Sequence, residues 1–143
     1  MEIRTYKQAA ALLAKRKAQG KAYAKLGNNV YLEPRYWEDE PGAIVVIYHQ
    51  TDIVTFYPDG RIELRNDGWF TPSTKQNISA FSPFSIYQEK GEWFVNTTRD
   101  YTQVNREKCP KGPKGQLPKG IVRFVSGMVL PTPKWAIKLY DGD

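Results

Sequence analysis

The sequence predicts an α+β protein, an antiparallel β-meander or rolled sheet of about six to eight strands with an N-terminal helix and one short helix. Three observations lead there. Apolar residues near the N-terminus recur at helical spacing, and from Asn29 onward the period changes to two. The connections between successive apolar runs are also too short for parallel crossovers. The chain has 143 residues, is 41% hydrophobic and 25% charged, and carries 13% aromatics, which suits one domain with a packed, sheet-rich core.

Residues 5–19 form the strongest helix, with Thr5 as its cap and Ala9, Ala10, Ala11, Leu12, Leu13, Ala14 and Ala18 as helix formers. Gly20 is its stop, although Lys21–Leu26 has the composition to resume the helix up to Gly27. Asn29–Leu32, Ala43–His49, Asp52–Tyr57 and Arg61–Arg65 read as strands, with Tyr36–Gly42 as an acidic loop and Pro58-Asp59-Gly60 as a tight turn. Asn66-Asp67-Gly68 is a further turn, and Thr71–Ile78 reads as a short helix capped by Ser73 or Thr74. Phe84–Gln88 and Glu92–Asn96 form a hairpin around Glu89-Lys90-Gly91. Residues 105–120 are a Pro-, Gly- and Lys-rich loop. Ile121–Val125 and Met128–Leu130, separated by Ser126-Gly127, predict a last hairpin, and Trp135–Tyr140 an edge strand. No repeat or linker divides residues 1–143.

One cysteine, Cys109, and one histidine, His49, cannot make a structural zinc site or a disulfide framework. Met1–Lys7 lacks the apolar core of a signal peptide, and no apolar run approaches the ~18 residues of a membrane span, so the cytoplasm is the expected compartment. No catalytic residue, metal or cofactor is expected, and the protein is read as a non-enzyme. Pro58-Asp59 with Glu63-Leu64-Arg65 resembles the Pro-Asp…Glu-x-Lys arrangement of a metal-dependent nuclease family, but Arg65 stands where lysine belongs and a hairpin turn accounts for Pro-Asp-Gly. His49 and Asp52 stand close enough for an acid–base pair without an evident nucleophile, and Cys109 lies among cations that favour its thiolate, with no base beside it.

Charge is segregated. The net of +6 divides into +6 over residues 1–26, −5 over 27–100 and +5 over 101–143. The basic ends are therefore the candidate nucleic-acid-binding segments: Lys7, Lys15, Arg16, Lys17, Lys21 and Lys25 at one, Arg106, Lys108, Lys111, Lys114, Lys119 and Arg123 at the other. Tyr23, Tyr101 or Trp135 are available to stack bases should the two ends converge.

Four stretches, Lys25–Leu32, His49–Gly60, Gly68–Ile78 and Tyr87–Val95, together resemble a group of small uncharacterised proteins of bacteriophage and mobile elements. The likeness spans roughly residues 25–95 and leaves the basic ends outside. It implies a genomic context, with the cytoplasm of a bacterial host as the compartment, and no transferable activity. Within it, Asn28, Thr51, Asp52, Thr55, Thr74 and Lys75 are polar positions not readily assigned to a core, either turn locks or a contact surface. Two functions are expected on these grounds. The first is a phage-type accessory protein that binds nucleic acid or a ribonucleoprotein through its basic ends. The alternative is a protein-directed inhibitor of a host factor, such as an anti-CRISPR or other anti-defence protein, and a metal nuclease stands last.

Overall fold

Helix α1 spans Tyr6–Ala18 and starts where the sequence supplies a cap, with the Thr5 hydroxyl accepting the Gln8 N–H at 3.3 Å. The structure is a computed structural model and describes residues 3–35, 42–99, 117 and 119–142. The helix ends in a left-handed Gly20 (φ +80°): the Gly20 N–H donates to Lys17 O and the Lys21 N–H to Arg16 O, both at 2.9 Å. That paired cap satisfies the last carbonyls and turns the chain away. The expected resumption of helix across Lys21–Leu26 therefore does not occur, and the chain enters strand β1 (Ala24–Gly27) instead.

Strands β2 (Val30–Pro34), β3 (Ile44–Tyr48), β4 (Thr51–Phe56) and β5 (Arg61–Leu64) follow as an antiparallel meander. In such a meander alternate turns share an end. The β1–β2 turn, the His49-Gln50 turn and the chain leaving β5 thus meet at one end of the sheet. The entry from α1 and the Pro58–Gly60 turn lie at the other. Residues 36–41 of the expected acidic loop lie outside the described residues.

Helix α2 (Pro72–Ala80) is capped by Thr71 rather than by Ser73 or Thr74. The Thr71 hydroxyl accepts the Thr74 N–H at 3.2 Å, and Pro72 takes the first helical position, where its missing N–H costs nothing. Strands β6 (Ser85–Glu89) and β7 (Glu92–Asn96) form the expected hairpin.

The C-terminal segment departs from expectation. Strand β8 (Ile121–Arg123) pairs with β7 in a three-stranded sheet, whereas β9 (Met128–Pro131) pairs with β5 to complete a six-stranded sheet, β1-β2-β3-β4-β5-β9. The two strands are not a hairpin, because their intervening residues bond across the sheets. The Gly127 N–H donates to Leu64 O at 2.8 Å, and Ser126 Oγ accepts the N–H groups of Asn66 and Asp67. Nor does Trp135–Tyr140 form a strand. After Pro133 the chain turns into a short helix, α3 (Lys134–Ala136), which widens into a π turn over Ile137–Asp141. Trp135 donates its indole N–H to Thr97 O at 2.8 Å, and Asp141 accepts the Thr5 hydroxyl at 2.7 Å, so this segment ties the small sheet to the start of α1.

One core lies between α1, α2 and the inner face of the large sheet. Leu12, Leu32, Val46, Val54, Phe56, Leu64, Ile78 and Phe84 are buried in it, and Ile86, Trp93 and Val95 of the small sheet close its far side. The opposite face of the large sheet mixes Tyr31, Val45 and Val129 with acids that are held by arginines. Arg35 bridges Glu33 and Asp52, Arg61 engages Asp59 and lies 4.8 Å from the Tyr57 ring, and Arg65 engages Glu63 and Asp67.

Candidate functional site

The predicted basic residues fall into separate places. Lys15, Arg16 and Lys17 occupy the last turn of α1, Lys21 follows its cap and Lys25 lies on edge strand β1. None of the five takes part in an ion pair among the described residues, and all except the half-buried Arg16 are exposed. Arg16 donates to Gln19 Oε1 at 3.3 Å. Tyr23, 47% exposed, sits among them edge-on to Tyr31. Lys7 is drawn to the opposite end of α1, where its ammonium donates to Asp141 O at 3.3 Å.

Arg123 ends strand β8 of the small sheet, and Lys119 lies in the turn that precedes that strand. Lys119 is exposed, while Arg123 is engaged by Glu92 and lies 5.8 Å from the Phe94 ring. Since β8 leads directly into β9, at the sheet edge remote from β1, the structure does not bring Arg123 beside Lys25. Arg106, Lys108, Lys111 and Lys114 lie outside the described residues, as do Cys109 and Tyr101.

The carboxylates that resemble a nuclease pair are each held by a different arginine. Asp59 accepts the Arg61 backbone N–H at 3.0 Å and its guanidinium at 2.7 Å. The backbone hydrogen bond first, and then the guanidinium, hold the Asp59 carboxyl below its ordinary range. Glu63 accepts from Arg65 and from the Tyr57 hydroxyl. Partial burial, followed by the Glu63 charge, raises the Tyr57 phenol above its ordinary value, and the Glu63 hydrogen bond raises Arg65. No group of three potential metal ligands occurs among the described residues. His49 and Asp52 share no hydrogen bond or ion pair among these residues: Asp52 turns to Arg35 at 3.2 Å, and the His49 ring lies on Tyr48 with centroids 4.4 Å apart.

A second site was not evident in the sequence. Where the three turns meet, a cleft of about 900 Å³ opens at the end of the large sheet away from the basic end of α1. Asn29, His49, Gln50 and Thr51 line it from the two hairpins, and Asn66, Asp67, Trp69, Thr71, Ser73 and Thr74 from the segment that leads into α2. Asn29, His49 and Asp67 have φ of 59°, 56° and 48°, three of the four left-handed non-glycine residues among those described. Such backbone is strained and collects at ligand sites, although asparagine, aspartate and histidine tolerate it best. Asn66 is 1% exposed, and its Oδ1 accepts the Gly68 N–H at 3.1 Å. Its Nδ2 is buried without a hydrogen-bond partner. Leaving such a donor unsatisfied costs about 1–3 kcal/mol.

Trp69 and Phe70 are 63% and 60% exposed on the same segment, with Phe70 set edge-on to Trp93 at 5.1 Å. Of the polar positions left unassigned by the sequence, Thr51 and Thr74 line the cleft. Thr55 is buried in β4, Asp52 is paired, Asn28 is exposed in the β1–β2 turn and Lys75 is half-buried on α2. The signal that locates the cleft is the parity of the meander, which brings the Asn28-Asn29, His49-Gln50 and Asn66-Asp67-Gly68 turns to one end.

No family model, curated protein or solved structure matches the chain. No helix among the described residues is long and apolar enough to cross a membrane.

Proposed function

We propose that the protein is a non-enzymatic, phage-type accessory protein that binds nucleic acid, free or within a ribonucleoprotein, through the cations at the end of α1 and on β1. The observation that supports this reading is how charge is paired. Arg35, Arg61 and Arg65 of the acidic middle satisfy acids close to them, whereas Lys15, Lys17, Lys21 and Lys25, close together in sequence, stand exposed without ion pairs among the described residues. Attraction to the helix dipole accounts for cations in the last turn of α1, but not for Lys21 and Lys25 beyond it. Unpaired lysines around an exposed tyrosine are what phosphate neutralisation with base stacking requires. The test is titration of labelled single-stranded and duplex oligonucleotides at several salt concentrations. Binding that weakens steeply with salt and is lost when Lys15, Arg16 and Lys17 are neutralised together supports the reading; salt-independent or absent binding overturns it.

A second reading, inhibition of a host protein, is favoured by the exposed Phe70, Val125 and Val129, the last on the open edge strand β9. It predicts a stoichiometric complex with one host protein that survives nuclease treatment and is lost in Val129→Glu. Capture of nucleic-acid-dependent partners alone counts against it.

A further inference from the structure

From the cleft at the turn end of the large sheet we infer a second binding site, for a neutral saccharide, separate from the basic end of α1. Two independent features mark it as a site rather than a surface irregularity. Left-handed Asn29, His49 and Asp67 bring three different turns to one opening of about 900 Å³, within the size range of small-molecule sites. In addition, Asn66, buried in its lining, keeps an Nδ2 with no hydrogen-bond partner.

The chemistry of the lining selects the ligand class. It contains no lysine or arginine, so nothing there balances a phosphate or carboxylate. Its one acid, Asp67, already faces the Arg65 guanidinium at 3.8 Å, which removes the attraction for a cation. The remaining polar groups are amides and hydroxyls: Asn29 and Gln50 each offer a donor and an acceptor side by side, matched to neighbouring hydroxyls on a sugar ring, and Asn66, whose Oδ1 is taken by the Gly68 N–H, keeps the unpartnered Nδ2. The exposed Trp69 indole and the exposed His49 ring, set against Tyr48 at an interplanar angle of 52°, provide flat surfaces for the apolar C–H face of a pyranose. Amides with aromatic platforms and no net charge describe a site for an uncharged, hydroxyl-rich ligand.

The site and the basic helix end lie at opposite ends of the large sheet, so they can be tested apart. The experiment follows the amide and indole N–H signals of the intact chain by two-dimensional NMR. The probes are maltotriose, cellotriose and triacetylchitotriose, with adenosine and cytidine for comparison. At least one trisaccharide is expected to shift the Trp69 indole and the Gln50 and Asn29 side-chain signals and to saturate below about 10 mM. Affinity should not change between about 50 and 500 mM salt, unlike that of a phosphate-binding surface. Trp69→Ala and, separately, Gln50→Ala, both at exposed turn positions, should weaken binding about tenfold or more while the remaining spectrum stays folded. Absence of saturable shifts with all three sugars, saturation by a nucleoside instead, or sugar binding retained in both variants overturns the inference. None of these outcomes depends on whether the basic helix binds nucleic acid.

Discussion

Replacing Lys15, Arg16 and Lys17 together by glutamine tests the nucleic-acid reading through the slope of the salt dependence as well as through lost affinity. Each phosphate contact with duplex DNA contributes about −0.9 to the slope of log affinity against log salt, so five contacts from Lys15, Arg16, Lys17, Lys21 and Lys25 give about −4.5. Between 50 and 200 mM salt that corresponds to a fall of about 500-fold. The triple variant keeps Lys21 and Lys25, for a slope of about −1.8 and a fall of about 12-fold over the same interval. Single-stranded ligands give proportionately shallower slopes, at about −0.7 per contact. The three cations stand in the last turn of α1, where each stabilises the helix dipole by about 0.3–1 kcal/mol. A urea melt therefore accompanies the titration, to place it where both forms are folded. Fluorescence anisotropy of a labelled oligonucleotide reads the slopes. Equal slopes for parent and variant, or no binding by the parent at low salt, refute the reasoning.

Three further outcomes are expected. Thr71→Ala removes the hydroxyl that caps α2 and costs about 0.5–2 kcal/mol in urea denaturation, and Thr71→Ser restores most of it. Glu63→Gln lowers the ionisation midpoint of Tyr57, read from tyrosinate absorbance against a Tyr57→Phe control, because the Glu63 charge helps to raise it. The sign for stability follows: with the folded-state value above the ordinary 10.0, the contribution of Tyr57 is complete below pH 10.0 and is lost as pH rises through the folded-state value. Gly120→Ala places a methyl group against Thr98 Cγ2 at a residue with φ +85°, so it should loosen β8 from β7 and raise hydrogen exchange at Thr97, whose N–H donates to Gly120 O.

Local chemistry made most of the meander legible. The Pro58–Gly60 turn, the Gly20 stop, the Thr5 cap and the β6–β7 hairpin each depend on residues within a few positions of one another. The larger errors lay where distant bonds decide. Ser126-Gly127 reads locally as a hairpin turn, yet Ser126 is held by Asn66 and Asp67, and Gly127 by Leu64, about sixty residues away. Trp135–Tyr140 has the aromatic and aliphatic content of a strand, but the Thr97 carbonyl and the Thr5 hydroxyl fix it as a helical turn. For the same reason the basic ends could be found by counting charge, whereas the cleft could not. It depends on which turns share an end of the sheet, and on an asparagine whose unsatisfied nitrogen shows only once its surroundings are in place.

The pairing of β5 with β9 carries a consequence for synthesis. Leu64 finds its partner Met128 only after 64 further residues have left the ribosome, about 3–13 s at 5–20 residues per second. Throughout that interval β5 is an open template edge, with Ile62 and Leu64 available to any other extended chain. The charged side chains of Arg61 and Arg65, on either side of these residues, make the nascent edge less favourable for pairing with a second copy of itself. Variants that remove either one should therefore show their largest defect in soluble yield during rapid expression, with less change in the melting of the finished protein.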